Sequence, residues 1–191
     1  MKYINNTYTN TLEVKQSKFI AYLTPYVDFQ KTLETLKQDN PKARHFVVAY
    51  RYLNEFNQVL EYSSDDGEPK GTSGKPSLFV LQGLDMINCS VIIVRYFGGT
   101  KLGTGGLVRA YSDAVNLVIE KSELFEYKQE IEVEIFFEYS NIRLVEYECV
   151  EFDIRIVEKT FDIGAIYKLR ASKESIEEFL EKLDRLVKVV E

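Results

Sequence analysis

Apolar and polar positions alternate over residues 19–26, and an extended chain sends successive side chains to opposite faces, so this stretch is predicted to be a strand. Asp28 is placed to cap a helix that carries Phe29, Thr32, Leu33 and Leu36 on one face and stops at Asn40-Pro41. Val and Tyr crowd residues 45–52, the composition of a strand. Residues 63–76 are rich in Gly, Pro, Asp and Ser and read as a loop, with a short helix over 75–86. Residues 91–96 read as a buried strand that runs into a loop at 97–104. Beyond it Leu107, Ala110, Tyr111, Ala114, Leu117 and Val118 recur at helical spacing, giving an amphipathic helix to about Glu120 with Thr104 as its cap.

The remainder of the chain repeats this economy of pattern. Ile131, Val133, Ile135 and Phe137 alternate with Glu132, Glu134 and Phe136 in a half-buried strand. Ile142, Val145 and Cys149 mark the apolar stripe of a helix, and Ile154 with Ile156 a second strand. Asp162-Ile163-Gly164 turns the chain into a third strand bearing Ala165, Tyr167, Leu169 and Ala171. Ser172 caps a last helix striped by Ile176, Phe179, Leu180 and Leu183, and residues 186–190 close as a short strand. That order is β-α-β-β-α-β, the ferredoxin-like plan. The chain is therefore expected to be α+β with two domains, residues 1–127 and 128–191.

Composition narrows the class. With 191 residues, 45% hydrophobic and 28% charged, the chain can build two small folded domains. Its longest apolar runs, at 90–94 and 186–190, are too short to span a bilayer, and the polar first eleven residues lack the order of a signal peptide, so a cytoplasmic location is expected. Cys89 and Cys149 are expected as buried small hydrophobes without a disulfide, and two cysteines with one histidine offer no zinc cluster. Residues 1–127 carry 14 of the 24 Lys and Arg and 14 of the 30 Asp and Glu, so the net charge of −6 belongs to the second part. A polyanionic partner would have to meet the first part, at a local patch.

Nine of the ten glycines lie between Gly67 and Gly106, the mark of a functional loop surface on a scaffold. One loop carries Asp65, Asp66 and Glu68 together with Lys70, Gly71, Thr72, Ser73, Gly74 and Lys75. Its carboxylates are weak candidates for Mg2+, which prefers oxygen ligands; the competing reading is a solvated loop whose Asp and Ser bond their own backbone. The other carries Arg95, Gly98, Gly99, Lys101, Gly103, Thr104, Gly105, Gly106 and Arg109 between a strand and a helix. Free N–H groups at a helix start attract anions, glycines let a phosphate come close, and the three cations add charge. It lacks the Gly-Lys-Ser/Thr ending of a Walker loop and the small residue a dinucleotide fingerprint needs where Val108 stands. His45 could be drawn against Ser64 or Ser73 as a base and nucleophile, but a lone strand histidine is more often structural, and no catalytic residue is assigned. Tyr50, Arg51, Tyr52, Tyr96 and Phe97 interleave aromatic and basic groups, which suits single-stranded nucleic acid or an ordinary core rim.

The two loops also carry a family resemblance. Residues 64–69 and 71–76, the Arg95-Tyr96-Phe97-Gly98-Gly99 run, Lys101-Leu102-Gly103, Gly105-Gly106-Leu107 and Arg109-Ala110-Tyr111 resemble the signature of the YigZ/IMPACT family. His45 with Ala49-Tyr50-Arg51, and Ser17-Lys18-Phe19, fit the same pattern; Ser73 stands where alanine is usual. The resemblance covers about residues 15–120. It implies that the first domain is like the second domain of a small-subunit ribosomal protein, and the second like the last domain of elongation factor G. Eukaryotic relatives act in translational control through an added N-terminal domain, which this chain is expected to lack, so their partner does not carry over. The proline-dipeptidase label of some bacterial relatives needs a metal-ligand set that this sequence does not provide.

Three functions stay open on these grounds. One is a non-enzymatic binding protein contacting RNA, the ribosome or a translation factor. A second is an enzyme acting on a phosphorylated small molecule or nucleotide with Mg2+. The third is a protein-interaction scaffold whose glycine loops hold a peptide.

Overall fold

The computed structural model describes residues 1–190 and divides into two compact units, Met1–Tyr127 and a second beginning at Lys128. Both are mixed α/β. In the first, β1 (Lys2–Tyr3), β2 (Tyr8–Val14), β3 (Ser17–Pro25), α1 (Phe29–Asp39), β4 (His45–Leu53), β5 (Val59–Ser64), α2 (Gly74–Gly83), β6 (Cys89–Tyr96), α3 (Gly103–Glu120) and β7 (Phe125–Glu126) follow in order. An antiparallel sheet of order β2-β3-β6-β4-β5 forms its centre, and β1 pairs with β7 apart from it. The central strand β6 is buried over Cys89 to Arg95, which is why its sequence shows no alternation.

The two faces of this sheet have different covers. Phe19, Ala21, Leu23, Val47, Ala49, Val91 and Ile93 point to α2 and α3 and pack with Leu81, Leu107, Ala110, Tyr111, Ala114 and Val118. Val48, Ile92 and Val94 point the other way, to Leu36 and Leu33 of α1. Tyr50 and Tyr52 share that second face and form an aromatic cluster with Tyr26, Phe29 and Tyr62, with Tyr26 stacked on Tyr52 at 3.9 Å.

The second unit contains β8 (Glu130–Phe137), α4 (Ile142–Glu151), β9 (Arg155–Phe161), β10 (Ala165–Ser172), α5 (Lys173–Lys182) and β11 (Val187–Val190). Its antiparallel sheet has the order β11-β8-β10-β9, the β-α-β-β-α-β arrangement expected from its alternations. Ile135, Phe137, Tyr167 and Leu169 meet Val145, Cys149, Ile176 and Phe179 in its core. Ser172 caps α5 by accepting the Ser175 N–H at 3.1 Å, as the sequence predicts. On the helix-free face Glu132 pairs with Arg170 and with Lys168.

Several expectations need correction. Thr104 is not the cap of α3: Leu102 holds that position, and among the described residues no side chain bonds the first turn. Asp28 does precede α1, but its carboxylate makes no capping bond. The helix placed at 75–86 is Gly74–Gly83, and Ser63 and Ser64 belong to β5 rather than to the loop. The edge strands β2 and β5 escaped the pattern reading, because their residues are half-buried or exposed and carry Thr, Asn, Glu and Ser. Among the described residues no helix is long and apolar enough to cross a membrane. Cys89 and Cys149 are both buried and free.

Candidate functional site

The two glycine-rich loops differ in how their backbone is satisfied. In the first, Asp65 folds back onto the start of α2. Its Oδ1 accepts from Ser73 N at 3.1 Å, Ser73 Oγ at 2.7 Å and Gly74 N at 2.8 Å, and its Oδ2 accepts from Gly71 N at 2.7 Å. Burial alone would raise the pKa of this carboxyl, but the donated hydrogen bonds hold it below the usual carboxylate value. Asp66 Oδ2 accepts the Phe46 N–H at 2.6 Å, and its carbonyl takes the His45 Nδ1 proton at 2.8 Å. Thr72 Oγ1 donates to Pro69 O at 2.7 Å. The loop is closed by bonds among its own groups and to the start of β4.

Glu68 turns inward instead. Its Oε1 pairs with Arg95 Nη1 and accepts the Tyr111 hydroxyl at 2.8 Å, with both charged side chains more than nine-tenths buried. Burial, and then the Glu68 charge, push the Tyr111 phenol well up, so it remains a neutral donor. The guanidinium lies between two rings, 5.3 Å from the Phe19 centroid and 5.7 Å from that of Phe97. Its Nε is a buried donor with no partner among the described residues.

The structure thus separates the three carboxylates weighed for Mg2+: Asp65 caps a helix, Asp66 caps a strand start, and Glu68 neutralises Arg95. Among the described residues no cluster of His, Cys, Asp and Glu has the form of a metal site. Nor does His45 meet either serine: its ring is on the Asp66 carbonyl, Ser73 Oγ on Asp65, and Ser64 Oγ accepts the Asp66 N–H at 3.3 Å.

In the second loop no side chain among the described residues bonds the amides beyond Gly98. Gly98 fits against the β2–β3 turn so closely that a Cβ would stand 2.0 Å from the Gln16 carbonyl carbon, and its N–H donates to Ser17 Oγ at 3.1 Å. From there the chain is exposed through Thr100, Lys101, Gly103, Thr104 and Gly105. Gly103 has φ +74°, a left-handed conformation that glycine adopts freely. Gly105 has neither a positive φ nor any atom within 4 Å of a built Cβ, so the fold itself gives no reason for glycine there. The uncapped first turn of α3 faces a cavity of about 360 Å³ lined by Glu68, Pro69, Arg95, Phe97, Lys101, Leu102, Gly103, Thr104 and Leu107. The open N–H groups of the first turn, the positive end of the helix dipole and Lys101 meet at its mouth, while the Arg95 guanidinium in its wall is already paired with Glu68.

Other candidate residues sit elsewhere. Arg109 is exposed on α3 but lines neither this cavity nor its neighbour. Lys75 and Gly71 line a separate recess against α3, and Lys70 is exposed on the loop. Arg51 is held by Glu61 at 2.7 Å and by the Met86 carbonyl at 2.8 Å, on the sheet face opposite Tyr50. Neither approaches Phe97, so the aromatic and basic residues that interleave in sequence do not form one surface. Sequence reasoning gave Tyr111 only a packing and motif place, and assigned no site role to Lys42 and Arg44; these two cations share a second cavity with His45, Arg95, Tyr96 and Phe97. The buried Tyr111 could have been suspected from its phenol on an otherwise aliphatic helical stripe.

Comparison with known proteins agrees with the site's motifs. The family model of the Impact N-terminal domain matches residues 15–119. An IMPACT family member of Haemophilus influenzae is 36% identical over 90% of this chain and 84% of its own. The IMPACT family member YigZ of Escherichia coli is 34% identical over 90% of this chain and 85% of its own. A crystal structure described only as that of a hypothetical protein covers 99% of this chain and 95% of its own, with a TM-score of 0.65 and 28% identity.

Proposed function

The chain belongs to the IMPACT family, and from that premise we propose that it is a binding protein of the translation apparatus that holds a phosphate of RNA at the first turn of α3. One observation carries the reading: α3 begins without a side-chain cap, exposed, with Lys101 before it and buried Arg95 behind it. A neutral first unit can still bind a polyanion at a local patch, here Lys101 beside the open helix start, with Asp65, Asp66 and Glu68 engaged internally. Resemblance of the first unit to a ribosomal-protein domain and of the second to the last domain of elongation factor G belongs to the same reading, as does a cytoplasmic location. The ion-paired face of the second unit leaves RNA contact to the first.

The test is binding of ribosomal RNA and of intact ribosomal subunits at several salt concentrations. Affinity is expected to fall as salt rises, by about 0.7 to 0.9 logarithmic units of binding constant per logarithmic unit of salt for each phosphate held. Lys101→Glu is expected to weaken binding roughly tenfold. Binding that ignores both salt and Lys101→Glu defeats the proposal.

An enzyme of phosphorylated small molecules is the alternative favoured by the cavity's volume of about 360 Å³, within the range of small-ligand sites. Thermal stabilisation by a nucleotide only when Mg2+ is present supports it; equal melting temperatures with and without nucleotide remove it.

A further inference from the structure

Phe97 divides two cavities. On one side is the cavity at the first turn of α3; on the other lies one of about 350 Å³ lined by Lys42, Arg44, His45, Arg95, Tyr96 and Phe97. Arg95 and Phe97 are walls of both. Lys42 and Arg44 come from the turn between α1 and β4, and His45, the first residue of β4, is paired in register with Arg95. Both turn cations are exposed, and among the described residues neither they nor Lys101 pair with a carboxylate. Of the acids near them, Glu68 holds Arg95 and Tyr111 and Asp66 holds the Phe46 N–H through one oxygen, while Asp39 at the end of α1 pairs with no cation among the described residues.

Phe97 itself is 56% exposed and belongs to none of the hydrophobic clusters. An exposed phenyl ring with a cationic recess on either flank matches what a single-stranded nucleic acid offers, a planar base with a phosphate on each side. A duplex keeps its base faces stacked and cannot present one to the ring. Polyglutamate could satisfy the cations but has no planar group to lay on the ring.

We infer that the second cavity is a phosphate site continuous with the first, and that the ligand is single-stranded RNA, with one base on Phe97 and consecutive phosphates at Lys42/Arg44 and at the start of α3. The inference rests on the reading that α3 holds an RNA phosphate, and it adds the ligand's strandedness and the second contact.

The experiment measures fluorescence anisotropy of the full chain with a labelled, unstructured RNA of about ten nucleotides, the same RNA annealed to its complement, and polyglutamate. The single strand is expected to bind more tightly than the other two. Lys42→Ala and Arg44→Ala are each expected to lower the salt slope by about 0.7. Phe97→Ala is expected to weaken binding about five- to a hundredfold with the slope unchanged, and Phe97→Tyr to retain it. If Lys101→Glu weakens RNA binding while the Phe97, Lys42 and Arg44 variants do not, the second site is refuted and the first reading stands. Duplex or polyglutamate binding as tight as single strand also refutes it. No RNA binding by the unaltered chain ends both.

Discussion

Arg95 is charged, more than nine-tenths buried and held on one side only, by Glu68. Taking an ion from water costs several kcal/mol, which its partner, the Tyr111 hydroxyl and the two flanking rings offset together. Removing the carboxylate strands the guanidinium, so Glu68→Ala is expected to lower unfolding free energy by about 3–5 kcal/mol, read from the urea midpoint. Tyr111→Phe removes one hydrogen bond and is expected to cost about 1–3 kcal/mol by the same measurement. At this scale the sequence was only partly readable. Asp65, Asp66 and Glu68 look alike as a run of carboxylates, yet their partners lie up to 43 positions away, and spacing along a chain does not encode such distances. Alternation along β4 puts Arg51 on the face of Val47 and Ala49, away from Tyr50.

Two helices start from similar glycine-rich loops and meet the same deficit of N–H partners in opposite ways. At α2 the Asp65 carboxylate supplies the acceptors; at α3 no side chain does. Because the Asp65 pKa is lowered in the folded chain, its contribution is complete above the unfolded value of about 4 and is lost as pH falls toward the folded value. The melting temperature is therefore expected to drop on acidification below about pH 4, and Asp65→Asn to start lower and change less across that interval. Gly98→Ala is expected to destabilise the chain strongly, since the atom it would strike is backbone of the β2–β3 turn; the melting temperature tests this. Periodicity made β3, α3 and every element of the second unit legible, and an unbroken apolar run did the same for β6. Periodicity failed at edge strands β2 and β5: β2 alternates only between half-buried and exposed positions with Asn and Thr among them, and β5 is exposed over most of its length.

Across the molecule charge is divided between the units, neutral in the first and net negative in the second. The second unit's open sheet face is a ladder of opposite charges that satisfy one another, Glu132 with Arg170 and Lys168. Arg170→Glu is therefore expected to leave RNA affinity within about twofold, measured by the same anisotropy titration, because exposed pairs of this kind contribute little and act locally. One thiol is hidden in each unit, Cys89 on the central strand of the first and Cys149 on α4 of the second, and burial pushes their pKa values up to about 12 and about 11. A protonated, enclosed sulfur cannot attack a maleimide until its surroundings come apart. The chain therefore carries an internal clock for each half: the rate at which either cysteine is alkylated counts how often that half breathes open. A molecule bound at the α3 cleft opposes that breathing, and slower alkylation of Cys89 would register its arrival without any label on the ligand.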